Sequence, residues 1–322
     1  MKDKKVFLVT GATGFVGSAI VRRLAVECNS SNVLAAVRRK DTSLPEGVQH
    51  VQIGDLLPTT DWSNALRGVS AVVHCAARVH VMNENSPDPL SEFRQVNVEG
   101  TVNLARQAAD AGVRRFIFLS SIKVNGESTQ LAQPFTAEDL PAPEDPYGIS
   151  KHEAEKLLRL ISSETGMEVV IIRSPLVYGP GVKANFGSLI RWLARGLPLP
   201  LAAATKNRRS LVALDNLVDL IVTCLNHSAA ANQIFLVSDG EDLSTVELIK
   251  RMGVALGLPS RLFYIPPKLL KFCAEIVKKP GIYRRLCGSL ELDISKTRQL
   301  LGWTPPVSID EGLRRAAKGL RH

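Results

Sequence analysis

Several features of secreted and membrane proteins are missing from this sequence of 322 residues. Its five cysteines form no CxxC pair and no Cys/His cluster, so neither a disulfide framework nor a metal site is indicated. No run approaches the roughly 18 to 20 apolar residues that a transmembrane helix needs. The charged residues 1–5 precede an apolar stretch that is far too short for a signal peptide. We therefore expect a cytoplasmic protein without membrane insertion.

Aromatic residues are also scarce, at 5% of the chain, although the formal net charge is +9. A positive field attracts nucleic acids, anionic membranes and anionic small ligands alike. Nucleic-acid binding surfaces usually combine clustered basic residues with aromatic ones, and this sequence shows no such interleaving. We therefore expect phosphate-bearing small molecules as partners, and no nucleic acid.

Short apolar runs alternate with amphipathic segments along the first half of the chain. The pattern predicts strands at 6–9, 33–37, 48–53, 71–74, 116–120 and 169–172, and helices at 15–26, 89–111 and 150–165. This order predicts an α/β fold of the Rossmann type, a doubly wound parallel sheet with helices on both faces.

The alternation loosens beyond residue 175, where helices are predicted at 185–195, 215–226 and 244–256 and a strand at 233–237. We predict that residues 1–175 mainly form an NAD(P)-binding domain. Residues 176–322 would mainly form a smaller C-terminal α/β region for the substrate, with segments exchanged between the two. The loop 129–146, rich in Pro, Asp and Glu, leads to Tyr147 and is expected to cover the site.

Three glycines follow the first predicted strand. Gly11 permits a tight exit from the strand, Gly14 lets a pyrophosphate approach the backbone, and Gly17 lets the next helix pack closely on the sheet. The free N–H groups that begin this helix favour anions. A purely structural turn is the alternative, but the flanking strand and helix favour a nucleotide site.

Tyr147 precedes Lys151 by one helical turn, so both side chains point to the same helix face. A phenol normally ionises near pH 10, and a neighbouring cation favours the phenolate. We therefore expect Tyr147 to act as an acid or base near neutral pH. Taken alone, Lys151 would be interpreted as a solvated helix lysine.

The second predicted strand ends at Arg38, and Arg39 and Lys40 follow. Folds that prefer NAD usually have Asp or Glu here, bonded to the ribose 2′-hydroxyl. A guanidinium instead binds a 2′-phosphate through charge-assisted hydrogen bonds. Arg38 therefore favours NADP(H), with NAD(H) as the alternative if this loop is merely solvated or Asp41 turns inward.

Seven motifs occur in order along the chain. They are TGATGFVG at 10–17, GDL at 54–56, HCAA at 74–77, VNVEGT at 96–101, LSS at 119–121, YGISK at 147–151 and RSPLVYGP at 173–180. Together they resemble the extended branch of the short-chain dehydrogenase/reductase superfamily, which contains NAD(P)-dependent nucleotide-sugar epimerases, dehydratases and reductases.

The resemblance implies roles for individual residues. Ser121 matches the catalytic serine that bonds the substrate oxygen, Tyr147 the proton donor or acceptor, and Lys151 the residue that lowers the tyrosine pKa and binds the nicotinamide ribose. Residues that match cofactor contacts, beyond the three glycines, are Thr13, Phe15, Val16, Asp55, Leu56, Ala76, Ala77, Asn97 and Pro175.

The family also implies a UDP-sugar bound between the two regions. Asn185 and Arg209 match residues that contact the nucleotide, and Arg284 or Arg285 is a further candidate. A surface role is the alternative for Arg209. Lys123, two residues after the catalytic serine, is a candidate for the substrate or for the acidic loop. A homodimer is an expectation from the family alone.

One departure concerns the Ser-x-x-Val-Tyr-Gly motif of many members, because this chain has Asn125 in place of the tyrosine. With Asn125 and Lys123 at these positions, the chain resembles a bacterial subgroup of the family. Members of this subgroup reduce UDP-4-keto-6-deoxy-N-acetylglucosamine to UDP-N-acetylquinovosamine for surface polysaccharide such as O-antigen. The favoured hypothesis is therefore NADPH-dependent reduction of a UDP-4-keto-6-deoxy-hexosamine at C4, with Tyr147 as the proton donor.

Three other functions remain open. The first is an NAD-dependent 4-epimerase of UDP-glucose or UDP-N-acetylglucosamine at the same site. A dehydratase is disfavoured because Ile122 and Lys123 replace its usual Asp-Glu pair. A non-enzymatic NADP sensor is disfavoured because the catalytic residues are present. His74 is interpreted as structural, and the basic stretch 268–285 as a solvated helix face over apolar residues.

Overall fold

A parallel sheet runs through the middle of the protein. The structure is a computed structural model, and it describes residues 5–39, 44–79, 87–276 and 280–319. The strands in chain order are β1 (Phe7–Thr10), β2 (Val33–Val37), β3 (Gln49–Gln52), β4 (Ala71–His74), β5 (Arg115–Ser121), β6 (Glu168–Ser174), β7 (Leu176–Tyr178), β8 (Leu211–Ala213) and β9 (Ile234–Leu236). Seven of them pair in parallel in the order β3-β2-β1-β4-β5-β6-β9, and β7 and β8 form a separate parallel pair.

Helices follow most of these strands. In the described part of the chain they are α1 (Phe15–Glu27), α2 (Ser63–Leu66), α3 (Pro89–Phe93), α4 (Thr101–Asp110), α5 (Pro146–Thr165), α6 (Ala184–Ala194), α7 (Leu214–Asn226), α8 (Thr245–Leu256), α9 (Pro267–Ile276), α10 (Pro280–Cys287), α11 (Ser295–Leu301) and α12 (Ile309–Lys318). Among the residues described, no helix has the length and apolar character needed to cross a bilayer.

The two faces of the sheet are covered by different helices, because alternate strand residues point to opposite faces. Val9 and Val73 pack in one apolar cluster with α1 and α7. Leu8 and Val72 pack in another cluster with α4 and α5. The predicted doubly wound α/β fold is therefore confirmed. A third cluster joins β7, β8, α8 and α12 in the second half of the chain.

The helix that carries Tyr147 and Lys151 starts earlier than the predicted residue 150, because α5 begins at Pro146. Asp145 caps the helix by accepting a hydrogen bond from the Gly148 N–H at 2.7 Å. Pro146 suits the first helical position, where its missing N–H costs nothing. Tyr147 therefore lies in the first turn of α5.

The segment predicted as one helix over 89–111 is broken into three parts. A π-helical stretch, Arg94–Gly100, separates α3 from α4. β9 also departs from a simple division of the chain, since it adds to the outer edge of β6 in the central sheet. The assignment of residues 1–175 and 176–322 to cofactor and substrate stays a prediction.

Candidate active site

The glycine turn connects β1 to α1 in a tight space. Gly11 has φ +65°, and a Cβ there would lie 2.8 Å from the backbone nitrogen of Ala76. At Gly17 a Cβ would lie 2.1 Å from the Gly11 carbonyl oxygen. Both positions therefore exclude a side chain, and the first turn of α1 is held against the end of β1.

Gly14 is the N-cap residue that immediately precedes α1, and the first turn of this helix contains no acidic residue. A cleft of about 550 Å³ opens here, lined by Thr13, Gly14 and Phe15 on one side and by the segment after β6 on the other. Exposed N–H groups at a helix start, without competing carboxylates, fit a pyrophosphate. Val16 follows within the first turn of α1, and Pro175 is buried between β6 and β7.

The turn after β4 faces this glycine turn. The Ala76 N–H donates to the Thr10 hydroxyl at 3.2 Å. Asn97, from the π-helical stretch, accepts from the Arg78 N–H at 2.8 Å and donates to the Ser150 hydroxyl on α5 at 3.0 Å. Asn97 thus connects the turn at Ala76 and Ala77 to α5, which gives it a structural role that its sequence position did not reveal.

His74 lies at the end of β4 and is fully buried. Its Nδ1 is 2.7 Å from the Thr10 hydroxyl and its Nε2 is 2.9 Å from the Thr101 hydroxyl. Burial, and secondarily the charge of Lys151, lower the pKa of His74 to about 3. The imidazole is therefore neutral at physiological pH, which agrees with its interpretation as a structural residue.

The three residues with predicted catalytic roles come from neighbouring elements at the carboxyl edge of the sheet. Ser121 ends β5 and is paired in register with Ser174 of β6. Tyr147 lies in the first turn of α5, with its ring edge toward Phe93 at 6.0 Å between centroids. Lys151 follows one turn later. Ligands of open α/β sheets bind at this edge.

Lys151 is more deeply placed than a solvated helix lysine. Its exposed fraction is 2%, and its Nζ lies 3.9 Å from the centroid of the Phe118 ring. Burial lowers the pKa of Lys151 to about 7, although the charge of Glu155 opposes this shift. The Lys151 side chain therefore changes between the charged ammonium and the neutral amine near neutral pH.

Tyr147 differs from expectation, because its pKa is raised rather than lowered. Burial and the nearby Asp145 carboxylate bring the pKa of Tyr147 to about 12. Both effects disfavour a second negative charge. The phenol is therefore protonated at neutral pH. Because the Asp145 carboxylate opposes ionisation of Tyr147, the phenolate needs additional positive charge nearby.

A buried polar network lies one turn beyond Lys151 and was missed from the sequence. Glu155 of α5 accepts hydrogen bonds from Arg173 of β6, the shortest at 2.6 Å, and one from the Ser120 hydroxyl. Arg173 also donates to the Asn125 side chain at 2.9 Å. Asn125, which together with Lys123 suggested the 4-reductase subgroup, is buried and accepts this hydrogen bond from Arg173.

Lys123 contacts acidic residues of the protein itself. Its ammonium donates to Glu127 at 2.9 Å and to Asp145, the residue that caps α5. Burial lowers the pKa of Lys123, but these two bonds outweigh burial and raise it. Of the two roles predicted for Lys123, the structure places it against the acidic loop, while a substrate contact stays a prediction.

Arg38 follows β2 and faces the residues after β3. Its guanidinium lies 3.7 Å from the Asp55 carboxylate, and the side chains are 80% and 71% exposed. This open pair leaves both groups accessible to a cofactor ribose. Lys40 and Asp41 lie outside the described residues. Leu56 packs closely against Gly100 of the π-helical stretch, where a Cβ would meet its carbonyl oxygen at 2.8 Å.

Two arginines of the second half of the chain approach each other. Arg209 donates to the Gly288 carbonyl at 3.1 Å, and burial together with the Arg285 guanidinium lowers the pKa of Arg209. Arg284, the competing candidate, is bound to Glu144 at 2.8 Å. The structure therefore favours Arg285 over Arg284 as the partner of Arg209. Asn185 lies in the first turn of α6, and its side chain is outside the described part of the structure.

Residues 7–238 match the NAD dependent epimerase/dehydratase family. The chain belongs to this family. It is 49% identical to a UDP-glucose 4-epimerase of Vibrio cholerae over 320 residues, which cover 98% of this chain and 96% of the relative. It is 28% identical to the N-acetyl-alpha-D-glucosaminyl-diphospho-ditrans,octacis-undecaprenol 4-epimerase of Escherichia coli O157:H7, covering 96% of this chain and 93% of the relative.

Solved structures of family members agree with the fold. MoeE5 in complex with UDP-glucuronic acid and NAD superposes with a TM-score of 0.78 at 27% identity, covering 98% of this chain and 99% of that one. The chain is therefore an NAD(P)-dependent enzyme of the extended short-chain dehydrogenase/reductase type. Within the family, the Vibrio relative favours the epimerase alternative over the expected 4-reductase subgroup.

Proposed function

We propose that this protein is a 4-epimerase of a UDP-hexose, such as UDP-glucose or UDP-N-acetylglucosamine. The observation that carries the proposal is the 49% identity, over 98% of the chain, to a protein named as a UDP-glucose 4-epimerase. Ser121, Tyr147 and Lys151 supply the side chains that the reaction needs. NAD, when bound beside the glycine turn, supplies a reversible hydride acceptor for C4 of the sugar.

The chain's own residues would handle the proton of the sugar 4-hydroxyl. The phenolate form of Tyr147 takes this proton as hydride leaves C4 of the sugar, and the resulting phenol returns the proton when hydride comes back. Ser121 donates a hydrogen bond to the same oxygen. Lys151 in its protonated form favours the phenolate that takes the proton. Because the pKa of Lys151 is about 7, the fraction of Lys151 that carries a positive charge changes within the physiological pH range.

The nucleotide end of the substrate would lie at Arg209 and Arg285. Burial and the nearby Arg285 guanidinium lower the pKa of Arg209, and a diphosphate bound between the two guanidinium groups would relieve their repulsion. Glu144 already neutralises Arg284, so this arginine contributes less. The pair would fix the UDP group and leave the sugar at the carboxyl edge of the sheet.

Reduction of a UDP-4-keto-6-deoxy sugar by NADPH is the second candidate, and Arg38 favours it. A guanidinium that is 80% exposed at the end of β2 suits a 2′-phosphate. An epimerase returns its hydride to the sugar, whereas a reductase consumes one cofactor per product. The two candidates therefore differ in stoichiometry although they share one site.

Product analysis with purified protein separates the candidates. One reaction offers UDP-glucose and UDP-N-acetylglucosamine without a reductant, and another offers UDP-4-keto-6-deoxy-N-acetylglucosamine with NADPH or NADH. We expect C4 epimers in the first reaction with no net cofactor consumed. Stoichiometric NADPH oxidation in the second, with no epimer in the first, would replace the epimerase by the reductase.

A further inference from the structure

Helix α9 exposes an apolar stripe that was expected to be covered. Leu269, Phe272 and Ile276 are 48%, 58% and 64% exposed. Their spacing of three and four residues places them on one side of the helix. The basic residues Lys268, Arg284 and Arg285 are exposed as predicted, but the expectation that these apolar residues lie beneath them is wrong, since the apolar residues are exposed as well.

Two aromatic residues in the segment just before α9 are exposed as well. Phe263 and Tyr264 are 44% and 67% exposed. The segment is fixed to the body of the protein, because the Phe263 N–H donates to the Leu199 carbonyl at 3.0 Å and the Leu199 N–H donates to the Arg261 carbonyl at 2.8 Å. We call Phe263, Tyr264 and the three α9 residues the apolar patch.

The apolar patch lies in the most basic part of the chain. Residues 261–285 contain seven Lys or Arg and one Glu. Arg261 and Lys268 are exposed, and Lys268 lies one turn before Phe272. A long lysine side chain beside an apolar stripe can keep its ammonium at a polar boundary while its stem lies on apolar surface. Apolar side chains with basic neighbours are typical of helices that lie in a membrane interface.

We propose that the apolar patch docks on an anionic lipid bilayer, with α9 lying in the plane of the membrane. Charge complementarity favours this occupant over a second copy of the chain. A symmetric contact through the patch would bring two basic segments together and would be opposed by repulsion. Anionic lipid headgroups instead attract each nearby Lys or Arg, and the acyl region accepts the phenylalanine and aliphatic side chains.

This orientation has a consequence for the active site. Helix α9 contacts α10, and α10 carries Arg285, which lies near Arg209. The docked surface and the predicted diphosphate site are therefore neighbours. On a membrane, the predicted diphosphate site would therefore lie near the lipid headgroups.

Vesicle co-sedimentation of the full-length protein tests the proposal. We expect binding to vesicles of 40% phosphatidylglycerol in phosphatidylcholine, little binding to pure phosphatidylcholine, and weaker binding as salt rises. The double variant Phe272→Asp, Ile276→Asp should lower the affinity for anionic vesicles by about tenfold or more, because two apolar side chains that would insert into the bilayer are lost. Val254→Asp, at an 83% exposed position on α8, is the matched control and should bind like wild type.

A pair of charge reversals separates specific docking from the attraction of any basic protein. Lys268→Glu should weaken binding by about fivefold or more. Arg67→Glu makes the same change of net charge on an exposed residue before β4 and should leave binding nearly unchanged. Equal losses for both variants, or no wild-type binding to anionic vesicles, would overturn the proposal. So would a wild-type dimer that Phe272→Asp dissociates, since the patch would then cover a second copy.

Discussion

Glu155 and Arg173 form an ion pair inside the protein, one helical turn beyond Lys151. The shortest distance joins Arg173 Nη2 to Glu155 Oε2 at 2.6 Å, and both side chains are 3% exposed. The pair connects α5 to β6 and, through Asn125, to the segment after Ser121. It therefore fixes the helix that carries Tyr147 and Lys151 relative to the strand that carries Ser121.

Glu155→Gln should reduce the free energy of unfolding by about 3–5 kcal/mol, because it leaves the Arg173 guanidinium buried without a counter-charge. Urea denaturation measures this. Glu153→Gln is a control on the same helix, since Glu153 pairs with Arg94 at 2.6 Å with both side chains more than a quarter exposed. The control should lose less than about 1 kcal/mol. Equal losses in the two variants would contradict the buried pair's importance.

Tyr147→Phe should lower kcat by about 10²–10⁴-fold, since it removes the group that carries the proton. Binding of the dinucleotide, followed by quenching of protein fluorescence, should change little. The test applies to whichever UDP-sugar is turned over. A variant with ordinary turnover would remove the phenol from the mechanism.

Arg209→Ala and Arg285→Ala should each raise KM for the UDP-sugar by about tenfold with a smaller change in kcat, because each removes one charge-assisted contact to the diphosphate. Arg284→Ala is the matched control, since Glu144 already occupies that guanidinium. Initial-rate kinetics of the three variants decide between the neighbouring arginines. A larger effect at position 284 would reverse the assignment of Arg285.

Arg38→Ala distinguishes the cofactors. If the guanidinium binds a 2′-phosphate, the variant should lose NADPH affinity by about tenfold or more and keep its NADH affinity. Titration calorimetry with both reduced cofactors measures the difference. Parallel losses for the two cofactors would mean that Arg38 acts only through its contact with Asp55.

His74 should make the protein more sensitive to acid. Its pKa is about 3 in the folded state and near 6.5 when unfolded, so the unfolded chain binds the extra proton first as pH falls. Between pH 6.5 and 3 the free energy of unfolding should fall by up to about 1.4 kcal/mol per pH unit from this group. Urea unfolding of His74→Gln should show a shallower pH dependence than wild type, and an unchanged dependence would contradict the role of His74.

Local sequence patterns were enough for the central features of the protein. The glycine turn and the spacing of Tyr147 and Lys151 lie within single turns, so their geometry follows from the neighbouring residues. The start of α5 was also available in the Asp145-Pro146 pair, a common helix-start signal. The π-helical stretch could not be predicted from the sequence, because an extra residue per turn changes the spacing of the apolar residues too little.

Partners of buried charges could not be found in this way. Glu155 and Arg173 are 18 residues apart, and Lys123 and Asp145 are 22 apart. Their contacts depend on how strands and helices are placed in three dimensions. The predicted direction of the Tyr147 pKa shift was wrong for the same reason. Burial and Asp145 raise this pKa, whereas Lys151 was expected to lower it.

The position of β9 also determines the order in which the protein can be completed. The ribosome makes β9 only after β7, α6, β8 and α7, so β6 spends that interval as an unpaired edge. Exposed N–H and C=O groups on such an edge can recruit strands from other nascent chains. Shortened forms of the protein should therefore retain residues 234–236, because a fragment that ends after β6 would be prone to aggregate during expression.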